Sequence, residues 1–157
     1  MSIRRAEQKD IDDILRLLTQ VNMVHHRIRP DLFRGPATKY SRDELEQMIC
    51  VKKAPIFVFP DDSGHVLGYI FCEEQVSEES PLRTGIRTLY IDDLCVDEAA
   101  RGKHVGRQLY EYALGYAKKQ GCYNVTLHVW GGNETALAFY RSMGMQNQYQ
   151  CLEQILT

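Results

Sequence analysis

No run of the 157-residue sequence approaches the ~18 consecutive apolar residues of a membrane-spanning helix. The opening Met1-Ser2-Ile3-Arg4-Arg5-Ala6 has no apolar core of the kind a secretory leader carries. Five cysteines, at 50, 72, 95, 122 and 151, are odd in number and widely spaced, with no Cys-x-x-Cys pair. This pattern argues against a disulfide framework, zinc or thiol-redox chemistry, and predicts reduced core thiols in a cytoplasmic protein. His25, His26 and His128 lack the His/carboxylate spacing of a metal site, so no metal is expected. Nor is there a strong excess of charge: 19 Lys+Arg face 21 Asp+Glu, a formal net charge of -2. A broad hold on nucleic acid or a membrane surface is therefore not expected. No internal repeat suggests a second unit.

What is present is ordinary for a globular chain, 44% apolar and 25% charged, with a length suited to a single domain over residues 1–157. Ile3 to Ala6 reads as a short strand. Ile11, Ile14, Leu15, Leu18 and Val21 recur at helical spacing, with Asp10, Asp12 and Asp13 at the N-terminal end of that helix. The stretch from His25 to Pro36 has two prolines and no long period, and reads as a short helix with irregular flanks. Ser41-x-x-Glu44 is a capping box opening a helix that buries Leu45, Met48 and Ile49. Ile56 to Phe59 and Val66 to Cys72, separated by Pro60-Asp61-Asp62-Ser63-Gly64, form a hairpin. Arg87 to Val96 is a third strand, Val105 to Gln120 a helix, Tyr123 to Trp130 a strand and Glu134 to Met143 a short helix. Gln148 to Leu156 reads as a last edge strand, available for pairing with a second subunit in a homodimer. The order predicts an α/β or α+β fold with a mixed, mostly antiparallel twisted sheet flanked by helices.

Between the third strand and its helix lies Val96-Asp97-Glu98-Ala99-Ala100-Arg101-Gly102-Lys103-His104-Val105-Gly106-Arg107. A strand end passing into a helix leaves free backbone N–H groups pointing outward, and the helix dipole favours an anion there. Gly102 and Gly106 permit close approach, and Arg101, Lys103 and Arg107 add charge-assisted donors. The glycine spacing matches neither the Walker loop nor the dinucleotide fingerprint.

Arg101-Gly102-Lys103-His104-Val105-Gly106 resembles the Gln/Arg-x-x-Gly-x-Gly/Ala signature of the GNAT superfamily of acetyltransferases. Downstream, the segment from Asn133 to Met145 is similar to that family's Asn-x-x-Ala-x-x-Phe-Tyr-x-x-x-Gly-Phe helix. The motif match covers residues 89 to 145, and the element order extends the likeness along the chain. One position departs: the family's inner glycine is His104, a side chain that helical dihedrals at this residue would accommodate. The resemblance implies that the strands at 89–96 and 123–130 splay apart to admit the pantetheine arm of acetyl-CoA. Along Leu94-Cys95-Val96, backbone groups of Leu94 and Val96 would pair with the arm, while the Cys95 side chain belongs to the core. Asn133, Ala136 and Phe139 would lie beside it, and His104, Val105 and Gly106 beneath the pyrophosphate.

Tyr140 matches the family tyrosine near the thioester sulfur, where a phenol can protonate a departing thiolate. Transfer also needs a neutral amine, hence a proton acceptor. Asp92 and Asp93 are the nearest acidic candidates, and strict strand alternation would send them to opposite faces, Asp92 sharing parity with Leu94 and Val96. Tyr140 and Asp92 are thus the expected catalytic pair. The acceptor, expected to be a small-molecule or peptide amine, would enter against the segments at 25–40 and 77–85. A CoA-binding regulatory module without turnover is the competing expectation.

Overall fold

The computed structural model describes residues 2–157. β1 (Arg4–Arg5), β2 (Ile56–Pro60), β3 (Val66–Val76), β4 (Arg87–Val96) and β5 (Asn124–Leu127) form one sheet in that spatial order. The first three pairings are antiparallel, and β4 with β5 is parallel, so the sheet is mixed as expected. That parallel pairing requires a crossover, which α3 (Val105–Lys119) supplies. The remaining helices are α1 (Ile11–Ile28), α2 (Arg42–Met48) and α4 (Glu134–Ser142). Among the described residues, no helix is long and apolar enough to cross a membrane.

β2 and β3 read as near-continuous apolar runs because both their faces are covered. Val58, Tyr69 and Phe71 face Ile14, Leu17 and Leu18 of α1 and Leu45 of α2. Phe57, Ile70 and Cys72 face Leu109, Ala113 and Ala117 of α3. Gly68 sets how closely α3 lies on the sheet. A Cβ there would stand 3.0 Å from the Cys95 carbonyl oxygen and from Leu109 Cδ1 and Val105 Cγ1. Ser41 caps α2 by accepting from the Glu44 N–H at 3.2 Å, while Glu44 Oε1 accepts from the Ser41 N–H at 3.1 Å, which completes the expected capping box.

Four local expectations are corrected. α1 continues through His25 and His26 to Ile28, ending where Pro30 disfavours helical dihedrals at Arg29; beyond it the chain is turns rather than a separate short helix. The strand expected from Tyr123 to Trp130 stops at Leu127, and Gly132, at φ +98°, turns the chain into α4. Residues 146–157 form no strand, since they lie alongside none and make no backbone–backbone hydrogen bond.

The fourth correction concerns β4. Phe71 pairs with Asp93 but Cys72 pairs with Ile91, so Asp92 is an extra residue, a β-bulge. Before it, Leu89 and Ile91 face α3; after it, Cys95 faces α1 and Leu94 and Val96 turn toward α3. Asp92 and Asp93 therefore share the α1/α2 face instead of taking opposite ones: Asp92 meets Tyr40, and Asp93 meets Tyr69.

The tight fit at Gly68 predicts that Gly68→Val lowers stability by about 1–3 kcal/mol through overpacking against a backbone carbonyl that cannot move aside. A lower midpoint in urea unfolding with an unchanged slope checks it.

Candidate active site

The β4–β5 pairing runs from Thr88 with Asn124 to Ile91 with Leu127 and then ends, while β4 stays paired with β3 as far as Val96. Residues 92–96 of β4 consequently present an open edge in the middle of the fold, a wedge between two strands that diverge. On the α3 side the wedge widens into a groove of about 390 Å³. Its lining includes Val96, Arg101, Gly102, His104, Gly106 and Phe139.

The floor of this groove is the start of α3. His104 occupies the N-cap at φ 59° and ψ 23°, in the left-handed region, and offers no side-chain cap. No acidic residue sits in the first turn. The leading N–H groups thus point into the groove without a protein acceptor, while α2 and α4 have theirs capped by Ser41 and by Asn133, which accepts from the Ala136 N–H at 3.3 Å. Gly102, at φ +83°, makes the preceding turn. Arg107 reaches Glu111 at 3.4 Å; among the described residues, Arg101 and Lys103 have no ion-pair partner. The expectation that His104 has helical dihedrals is corrected. The position calls for a left-handed residue, which explains a family glycine there, and a non-glycine residue holds it at a cost of ~1–2 kcal/mol.

On the other face of the wedge, Asp92 has both oxygens engaged: Oδ1 accepts from Lys39 Nζ at 2.9 Å and Oδ2 from the Tyr40 hydroxyl. Tyr40 stacks on Phe71 at 5.7 Å between centroids, which ties the 39–40 segment to the sheet. Asp93 accepts one side-chain hydrogen bond, from Tyr69 Oη at 2.8 Å. Burial pushes the Asp93 carboxyl up to about 6, against the opposing pull of the Tyr69 bond and Lys39, with the Asp92 charge adding to the rise. Tyr140 lies in α4 beside Tyr110 and Phe139, its ring 6.3 and 5.1 Å from theirs. Its proton is held well above the ordinary phenol range, by burial first and then by the negative charge of Asp93. Among the described residues no hydrogen-bond partner takes its hydroxyl, so a protonated phenol stands free at the wedge. Cys95 points toward α1, its Sγ 3.5 Å from the Leu17 carbonyl, and burial pushes its thiol up to about 12. A nucleophilic thiolate there is not available near neutrality.

The model for the acetyltransferase (GNAT) family matches residues 22–145. The chain belongs to this family. As a GNAT protein, it is 25% identical over 144 residues to the putative phosphinothricin acetyltransferase YwnH of Bacillus subtilis, covering 92% of this chain and 83% of that one. A mutant of the BH1408 protein of Bacillus halodurans has the same fold at TM-score 0.96, with 32% identity and 100% of both chains covered. Glucosamine-6-phosphate N-acetyltransferase of Arabidopsis thaliana shares the fold at TM-score 0.70 and 22% identity, over 99% of this chain and 98% of its own.

The GNAT scaffold brings the residues singled out in sequence to one wedge. Val96, Arg101, Gly102, His104, Val105, Gly106, Arg107 and Phe139 line the groove, Leu94 lies on the open edge of β4, Lys103 sits in the turn without lining it, and Asn133 and Ala136 open the helix that carries Tyr140. Cys95 does not line the groove; its side chain lies in the core against α1. Sequence reasoning missed Lys39, Tyr40 and Tyr69 as partners of the carboxylates, because those contacts depend on the bulge and on pairing distant in sequence.

The raised Asp93 pKa fixes the sign of a stability effect. A carboxyl with pKa about 6 when folded and an ordinary value of 3.8 binds more protons in the folded state between those limits. It thus costs stability as pH rises through that window. Asp93→Asn is expected to stabilise the protein by roughly 1–2 kcal/mol at pH 7.5 relative to the wild type, with the gain vanishing near pH 4. Paired urea unfolding at the two pH values reads it.

Proposed function

We propose that the protein transfers the acetyl group of acetyl-CoA to a primary amine of a small molecule or peptide, by direct attack in a ternary complex. The observation that carries this reading is the wedge itself. It gives an open groove on the α3/α4 face and a half-buried carboxylate on the α1/α2 face, with a free protonated phenol where they meet.

Acetyl-CoA supplies the acyl group as an activated thioester. In this reading the free N–H groups at the start of α3, with Arg101, Lys103 and Arg107, hold its pyrophosphate. The open edge at Leu94 and Val96 takes the pantetheine amides as a short added strand, flanked by Asn133, Ala136 and Phe139. The Tyr140 hydroxyl delivers a proton to the departing sulfur. Asp93 accepts the proton that the acceptor amine sheds, a role supported by its raised pKa, its single side-chain hydrogen bond and its bearing on Tyr140. Asp92, the carboxylate favoured from sequence, has both oxygens occupied; it holds the 39–40 segment at the acceptor mouth, and its charge raises the basicity of Asp93. The acceptors named for the relatives, phosphinothricin and glucosamine 6-phosphate, both carry a primary amine. The wedge suits that class, while the acceptor's remaining groups are left open.

Two predictions follow from this assignment. With acetyl-CoA and a panel of primary amines, CoA thiol is released, and Tyr140→Phe lowers kcat by about 10²-fold or more while acetyl-CoA affinity by calorimetry stays within roughly threefold. Binding without thiol release from any amine would instead support a CoA-binding regulatory module. In the wild type kcat/KM rises with pH through an acid limb near 6, where Asp93 ionises, and Asp93→Asn removes that limb along with most of the rate. An unchanged limb in the variant would remove Asp93 from the role.

A further inference from the structure

The segment between α1 and α2 sets a primary amine of the chain's own on the acceptor side of the wedge. Lys39 Nζ donates to Asp92 Oδ1 at 2.9 Å and to the Asp92 main-chain carbonyl at 3.4 Å. That carbonyl belongs to the first residue of β4 beyond its pairing with β5, the point at which the edge opens. The Tyr40 ring centroid lies 5.6 Å from the same nitrogen. The lysine charge reaches three further groups around the mouth. It opposes the rise that burial gives to the Asp93 carboxyl and to the Tyr90 phenol, and it adds to burial in lowering His25. The Lys39 side chain is 46% exposed, and among the described residues its one ion pair is with Asp92. Its flexible four-carbon stem is therefore held at the tip and free along its length.

We propose that Lys39 is itself an acetyl acceptor: with acetyl-CoA bound and the mouth empty, the chain acetylates its own Lys39 Nζ. This rests on the acetyl transfer proposed for the wedge. An amine already standing against the carboxylate next to Asp93 does not have to be captured from solution, and a nucleophile held near the reacting carbon gains the rate of a high effective concentration. Asp93 takes one proton from the ammonium, and the nitrogen lone pair attacks the thioester carbonyl. A C–N bond forms, the C–S bond breaks, and the sulfur leaves with the Tyr140 proton. The second proton shed by the nitrogen restores Tyr140 through solvent, and Asp93 returns its proton to water. The products are acetyl-lysine and CoA thiol, with no change of oxidation state. Acetylation removes the lysine charge and with it the ion pair to Asp92. Asp92 then keeps the Tyr40 hydroxyl, and the Lys39 end of the segment is released from the mouth that other amines enter.

Peptide mass spectrometry of the full chain incubated with acetyl-CoA and no added amine tests this, with thiol release followed in parallel. The expected result is an acetyl group on Lys39, formed at least roughly tenfold faster than on the exposed Lys9, Lys53 or Lys119, at a rate independent of protein concentration. Tyr140→Phe is expected to slow the Lys39 reaction to the rate of those surface lysines. Lys39→Arg, which keeps a cation for Asp92 but offers no acceptor amine, is expected to abolish the thiol release. Lys39 modified no faster than the surface lysines overturns the proposal, as does equal labelling in Tyr140→Phe, the mark of uncatalysed acetylation. A rate that scales with protein concentration overturns it in favour of transfer between copies. The panel of primary amines, run on the same preparation, separates this failure from failure of the underlying activity. Amines acetylated while Lys39 stays unmodified remove Lys39 alone; no transfer to either removes the acetyl transfer as well.

Discussion

The extra residue that β4 carries at Asp92 governs what this sheet can do. One inserted residue reverses the sense of alternation for the rest of the strand, so two adjacent carboxylates come to the α1/α2 face while Leu94 and Val96 turn toward α3. The same stretch of β4 is where β5 lets go, after Ile91 and Leu127. A bulge bends its strand and increases local twist, and a parallel neighbour only four residues long does not follow. The open edge, the groove beneath it and the facing carboxylates are thus consequences of a single irregularity, and β2 and β3, buried on both faces, keep the remainder rigid around it.

The α3 terminus shows a second local cost placed at the same point. The starts of α2 and α4 are closed by a side chain, yet this one is left open, with a left-handed His104 instead of a capping oxygen. Strain at the N-cap and unsatisfied N–H groups would be removed by small substitutions if only folding mattered. Their coincidence with unpaired Arg101 and Lys103 makes sense for an anion that supplies the missing acceptors.

Much of this was legible in the sequence, and the failures have a common cause. Amphipathic spacing locates α1 and α3, the Ser41/Glu44 pattern locates α2, and the two signature segments supply both sides of the groove. These are local properties, carried by residues a few positions apart. The bulge was not legible, since nothing in Leu89 to Val96 marks which residue is extra; it arises from pairing with Phe71 and Cys72 across the sheet. Parity reasoning therefore misassigned the faces of Asp92 and Asp93. It could not have found Tyr69 either, whose hydroxyl reaches Asp93 only because of that register. The tail misled in the opposite way: its composition reads as a strand, but a strand needs a neighbour, and composition does not supply one.

Comparison of Asp10 with Asp93 separates a carboxylate fixed in its charged form from a titratable one on physical grounds. Asp10 is 1% exposed, and burial alone would raise its pKa. Arg4 donates to it twice, at 2.7 and 3.0 Å, and the Glu7 N–H donates at 2.8 Å, so its pKa is lowered instead. Such a group is fixed in its charged form and has no proton to exchange near neutrality. Asp93, half-buried, has one phenol as its side-chain partner and a like charge next to it, and desolvation pushes its pKa up. A fold selected for stability alone would complete the bonding of Asp93 as it completes that of Asp10. Leaving it incomplete keeps a titratable group near neutral pH whose charge bears on Tyr140, the property that the proposed proton transfers would use.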